Sequence, residues 1–448
     1  MDWLEKYKDR IVSAEVAASA IQNGMNIALG HSAAAPQEIP LAMMDQRERL
    51  KDVDIYHMVT LHPATYMLPE GYGHFRHITN FAHGNTREGI NDDRGDFFPY
   101  YYHQVADWFD TCYPIDVAMI TVTPPNEDGY CSLGISVDYT KLAVDRAKMI
   151  ICEMNDQMPF LGYGDCLIHI SKLDYIVKTS RPMFQLPKPT IGPVEEKIGE
   201  YCASLVEDGA TLQLGIGAIP DAALHYMTNK KDLGIHTEMF SDGVVELVKK
   251  GVVTNAKKKL HPGKLVTGFL MGSQMLYDFV DHNPDVLMFP VNYCNDPRTI
   301  CQMDHFVSIN SALEMDLQGQ STAETIGLKT FSGTGGQVDF IRGASWNRTS
   351  KAILAFPSTA KHGELSRIKA FLTEGAGITT PRDDIDYVIT EYGIAHLKGA
   401  TLKDRARMLI GLAHPKFRDD LIHEFERRFH RTPYTPWDFG NAKTFVTY

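Results

Sequence analysis

Two stretches of this chain repeat one pattern, and that pattern restricts the fold more than any other feature. Asn23-Gly-Met-Asn-Ile-Ala-Leu-Gly-His31, followed by Pro36, parallels Asp208-Gly-Ala-Thr-Leu-Gln-Leu-Gly-Ile216, followed by Pro220. Each reads as a helix, a glycine turn, a buried strand, a second glycine turn and a new helix. Glycine suits the turn after a helix, and proline is tolerated in a first helical turn, where N–H groups lack intrahelical acceptors. The alternation runs through the whole sequence. Met25–Leu29, Asp116–Val122, Met149–Glu153, Thr211–Leu214, Lys264–Thr267, Ala352–Phe356 and Tyr387–Thr390 are predicted strands; Val16–Asn23, Lys197–Glu207, Asp221–Met227, Val244–Lys250 and Leu402–Leu412 are predicted helices. Short apolar strands alternating with amphipathic helices build α/β domains on largely parallel sheets. At 448 residues the chain exceeds what one core organises. The expectation is two related α/β halves, 1–190 and 191–448, meeting near the proline-rich Pro182–Pro193 segment.

Several function classes are disfavoured by composition. The seven cysteines (Cys112, Cys131, Cys152, Cys166, Cys202, Cys294, Cys301) are dispersed and form no CxxC pair, which argues against a disulfide framework or zinc ribbon and for a reducing compartment. Met1 to Arg10 is charged, and no run approaches the roughly 18–20 apolar residues of a membrane span, so a cytoplasmic protein without a membrane partner is expected. A net charge of -12 speaks against nucleic acid. His62, His74, His77, His83 and His103 crowd one stretch, but neither HExxH nor a Cys–His spacing occurs, and no metal site is expected.

The most informative segment is Leu233-Gly-Ile-His-Thr-Glu-Met-Phe-Ser-Asp-Gly243. Ile235–Thr237 reads as a short strand and Ser241-Asp242 as the cap of a helix beginning near Val244. Glu238 then sits at a strand's carboxyl end beside a helix start, where α/β sheets place ligands and where the helix dipole favours an ionised, nucleophilic carboxylate. Gly215-Ile-Gly-Ala-Ile-Pro220 lets the backbone approach a ligand and opens onto a helix N-terminus suited to a phosphate or oxyanion. With Pro220 in place of the third glycine it is a poor dinucleotide fingerprint, which weighs against a nicotinamide-dependent enzyme. Phe331-Ser-Gly-Thr-Gly-Gly-Gln337 is a second turn nearly free of β-carbons, able to crowd N–H groups around an oxyanion. Arg342, Lys351 and Lys361 are candidates for phosphate contacts. His31 reads as a structural histidine that also stands where a cleft lining is expected; Arg87, Arg94 and the aromatic run Phe97 to Tyr102 are candidates for bordering an acyl pocket.

Leu212 to Asp221, Gly234 to Met239 with Ser241 to Val245, Phe331-Ser-Gly with Gly335 to Phe340, and Thr390-Glu-Tyr-Gly-Ile394 together resemble the acetyl-CoA hydrolase/transferase family, and within it the 4-hydroxybutyrate CoA-transferases, from about Asp2 to about Phe429. The resemblance implies a family I CoA-transferase-like fold with its active site between the halves. It further implies that Glu238 is the catalytic glutamate and that Gly215, Ile216, Gly217, Ala218 and Ile219, with Gly335, Gly336 and Lys361, contact coenzyme A. Coenzyme A is expected as a substrate, with no permanently bound cofactor; the partners are an acyl-CoA and a short-chain carboxylate, and a homodimer is expected. The acyl pair that the resemblance favours is 4-hydroxybutyrate or butyrate with acetate. A dicarboxylate such as succinate or itaconate, or water in an acyl-CoA hydrolase, are the alternatives.

Overall fold

The computed structural model describes residues 2–439. Contacts divide the chain into two compact units: one runs to Pro187 and includes Thr237–Asp242 and Leu265–Asn295, the other holds Lys188–His236, Gly243–Lys264 and the chain from Asp296. Glu238 is thus a residue of the first unit, not of the expected 191–448 half. The reason lies in its neighbours, since the backbone and side-chain partners of this segment include Thr267, Cys294 and Asn295.

In the first unit a seven-stranded sheet is built from β1 (Asn26–Leu29), β2 (Val53–Tyr56), β3 (Phe75–Thr79), β4 (Gly95–Phe97), β5 (Val117–Val122), β6 (Met149–Asn155) and β7 (Tyr175–Thr179), ordered β4-β3-β2-β1-β5-β6-β7. All its pairings are parallel. Val117 to Val122 is buried at every position, as a central strand covered on both faces must be. Ile27, Val53, Ile55, Met119 and Ile151 anchor this unit's core.

The second unit contains β8 (Thr211–Leu214) and the start of β9 (Gly234–Phe240), and, beyond β10 (Leu265–Leu270) and β11 (Val286–Met288) of the first unit, β12 (Phe306–Asn310), β13 (Lys351–Ala355), β14 (Tyr387–Thr390) and β15 (Gly393–His396). β8 pairs in parallel with β9 and β12, β12 with β13 and β13 with β14, while β15 closes the edge antiparallel to β14. Phe306, Phe340, Leu354, Val388, Leu409 and Phe425 form a separate core. The repeated sequence pattern has a topological counterpart. β1 and β8 each pair with the next strand of the chain on one side and a later one on the other, and each follows a glycine in the left-handed region, Gly24 (φ 71) or Gly209 (φ 80).

Helix α1 (Pro193–Ser204) starts on Pro193, and the Glu195 carboxylate accepts from the Gly192 N–H at 3.1 Å. It packs on α2 (Ala218–Tyr226) at Gly199, where a β-carbon would stand 2.6 Å from that of Ala222. Only glycine allows so close an approach. The predicted helix Leu402–Leu412 and strands Thr211–Leu214 and Tyr387–Thr390 have the same bounds in the structure; the other predicted elements are present with shifted ends.

Candidate active site

Glu238 lies inside β9, which runs on to Phe240 instead of ending at Thr237, because Met239 and Phe240 are apolar and buried and extend the strand. The following helix, Asp242–Lys249, starts two residues earlier than the sequence suggested. Asp242 accepts from the Ser273 N–H at 3.1 Å and from its hydroxyl at 3.0 Å, which ties the end of β9 to the turn after β10.

The Glu238 side chain is half-buried, and its Oε2 accepts from Asn295 Nδ2 at 2.7 Å. Thr267 Oγ1 donates to the Glu238 carbonyl at 3.1 Å, and Cys294 Sγ to the Thr237 carbonyl at 3.2 Å. Asn295 caps the short helix Val291–Cys294, its N–H bonding the Val291 carbonyl, so the side chain leaves the helix end toward the carboxylate. An amide donor on one carboxylate oxygen helps to fix the orientation of the group. Asn295 belongs to no motif in the sequence and was missed there; its partner lies 57 positions away.

Asp138 and His31 stand beside this segment. A β-carbon on Gly268 would lie 3.2 Å from the Glu238 carbonyl and 3.6 Å from the Asp138 β-carbon. His31 Nδ1 bonds Asp138 Oδ2, which also accepts from Ser136 at 3.2 Å; Asp138 Oδ1 takes the N–H of Tyr139 at 2.7 Å and of Thr140 at 3.3 Å. Asp138 is the partner that holds His31, and the sequence did not reveal it. Tyr102, from the aromatic run, is fully buried, and burial, followed by the charges of Asp138 and Glu238, pushes its phenol well above the ordinary range, so it keeps its proton.

The glycine turns belong to the second unit. Gly217 (φ 116) caps α2, and added β-carbons at Gly215 or Gly217 would meet nothing within 4 Å, so this backbone is open to a ligand. Behind it, Gln213 is locked to Ser308 at 2.7 Å and to Asn310 at 3.0 Å. Gly335 is left-handed (φ 52), and Gly336 caps helix Gln337–Trp346. Lys361 is exposed, also with a positive φ (48). Two of the proposed phosphate contacts are occupied otherwise: Arg342 pairs with Asp384 at 2.9 Å, and Lys351 holds Glu207 at 2.7 Å and the Leu205 carbonyl at 2.9 Å. Arg94 is likewise bound to the Met67 carbonyl and to Asp92, which gives it a structural task. Among the described residues, no group of three or more His, Cys, Asp or Glu is placed to hold a metal.

Comparison with known proteins places this geometry in context. Residues 1–184 match the model of the acetyl-CoA hydrolase/transferase N-terminal domain and residues 272–425 that of its C-terminal domain. The chain is 51% identical over 430 residues to the 4-hydroxybutyrate coenzyme A transferase of Clostridium kluyveri, covering 96% of this chain and 100% of that one. It is 40% identical to the succinyl-CoA:cyclohexane-1-carboxylate CoA transferase of Geobacter metallireducens, covering 95% and 97%. Among solved structures, the 4-hydroxybutyrate CoA-transferase of Porphyromonas gingivalis superposes with a TM-score of 0.83 at 43% identity, over 96% of this chain and 100% of that one.

Proposed function

The chain belongs to the acetyl-CoA hydrolase/transferase family and is an acyl-CoA:carboxylate CoA-transferase, and from that premise we propose that it works by covalent catalysis on Glu238. The Glu238 carboxylate attacks the thioester carbonyl, the C–S bond breaks, and CoA thiolate leaves a mixed anhydride. The thiolate then attacks the glutamyl carbonyl and releases the first acid, giving a glutamyl-CoA thioester. An incoming carboxylate reverses both steps and departs as the new acyl-CoA. One thioester replaces another, so no external energy source is needed.

The observation that carries this reading is the Asn295 amide on Glu238 Oε2, which orients a half-buried carboxylate. Gly215 to Ile219, Gly335, Gly336 and Lys361 are the proposed coenzyme A contacts, supported by the open backbone at Gly215 and Gly217 and by the exposure of Lys361. The proposed acyl pair is 4-hydroxybutyryl-CoA, by similarity to the clostridial relative, or butyryl-CoA, with acetate, by similarity to a butyryl-CoA:acetate CoA-transferase of Anaerostipes caccae. The seven free thiols fit the proposed cytoplasmic location. The deciding experiment is intact-mass spectrometry after incubation with an acyl-CoA. Gain of the CoA mass on Glu238 is expected, and its absence with every competent thioester removes the mechanism. Release of free CoA without any acid acceptor would instead favour the hydrolase.

A further inference from the structure

Among the described residues, nine buried side-chain polar atoms of the first unit have no hydrogen-bond partner, and three of them are His31 Nε2, Tyr102 Oη and Asn295 Oδ1. Buried polar atoms are nearly always paired, so each such exception calls for an explanation. All three surround the proposed nucleophile. The other amide atom of Asn295 holds Glu238, Asp138 and the Glu238 carbonyl flank Gly268, and the His31 and Tyr102 rings lie 6.5 Å apart without bonding each other.

We propose that His31 and Tyr102 receive a hydroxyl group on the acyl chain that Glu238 carries, and so select a hydroxyacyl thioester over its plain alkyl counterpart. The inference rests on the transferase reading above. Asp138, acceptor of at least four donors, keeps the His31 proton on Nδ1, which makes Nε2 an acceptor in the neutral ring. Tyr102, which retains its proton, is a donor. A hydroxyl donates and accepts at once and satisfies both. A methyl end leaves both unpaired, and a second carboxylate presents only acceptors to an acceptor nitrogen. A site built to bond a substrate hydroxyl rejects the analogue lacking it more strongly than an apolar pocket can. Asp138 acts through His31 as a positioning residue.

The test is the ratio of kcat/KM for 4-hydroxybutyryl-CoA to that for butyryl-CoA, with acetate as acceptor, in the wild-type protein, Tyr102→Phe and His31→Gln. The wild type is expected to favour the hydroxyacyl donor, and each variant to lower the ratio about tenfold or more. A ratio that both variants leave unchanged, as when an ordered water occupies the space, overturns the inference. So does a wild-type protein that uses the two donors equally, a result that needs no variant to fold. Failure of the underlying mechanism is read separately in the same wild-type samples, where Glu238 would gain no CoA mass from either donor.

Discussion

The side-chain amide of Asn295 donates to Glu238 Oε2 across 2.7 Å, and the Asn295 backbone N–H simultaneously closes a helix turn on Val291. The group that aims the carboxylate is therefore anchored at both ends. Asn295→Ala removes this donor from the Glu238 carboxylate, and misplacement of a reacting group by about 1 Å costs on the order of 10²-fold. Steady-state kinetics are expected to show that loss in kcat, with a smaller change in KM for the acyl-CoA.

Glu238→Gln keeps the shape and the Asn295 contact but removes the nucleophile. Transferase turnover should fall by about 10³-fold or more, with a near-unchanged melting curve, and the variant should acquire no CoA mass. Normal turnover in this variant would end the assignment.

Gly199 sets the spacing of two helices, one of which begins at the glycine turn proposed to contact coenzyme A. Gly199→Val places side-chain atoms against the Ala222 β-carbon at 2.6 Å and its backbone carbon at 2.7 Å, and backbone cannot yield. Overpacking of this kind costs about 1–3 kcal/mol. Chemical denaturation should show that loss, and KM for the acyl-CoA should rise because α2 carries Ala218 and Ile219.

Burial holds His77 down at about 3, and His57 well below its usual range, so both are neutral in the folded protein near neutral pH. The unfolded chain binds these protons near pH 6.5, before the folded protein does. Stability contributed by the neutral rings is complete above that value and is lost as pH falls from about 6.5 toward the folded values, at about 1.4 kcal/mol per pH unit for each histidine. Urea unfolding at pH 7 and pH 5 should show the decline, and His77→Phe should make its slope shallower.

Much of the architecture was legible because its signals are local. The Leu402–Leu412 helix, capped by Thr401, and the strands at Thr211 and Tyr387 follow from periodicity and turn chemistry within a dozen residues. Boundaries were misjudged where tertiary burial overrode local cues, as at Met239 and Phe240, which extend β9 past Glu238. The ion pairs of Arg342 and Lys351 were not legible for a related reason: a cation's partner is chosen by the folded surface, and here Asp384 and Glu207 hold them.

From the sequence alone came the α/β class, the family resemblance and the prominence of Glu238, since glycine turns and strand periodicity are written into adjacent residues. Tertiary structure decided what surrounds that glutamate: Asn295 on its carboxylate, Asp138 behind His31, and Tyr102 sealed nearby. These residues meet because parallel strands bring distant chain segments side by side, and that convergence depends on the packing of the first unit's strands and helices, which no short window of sequence encodes.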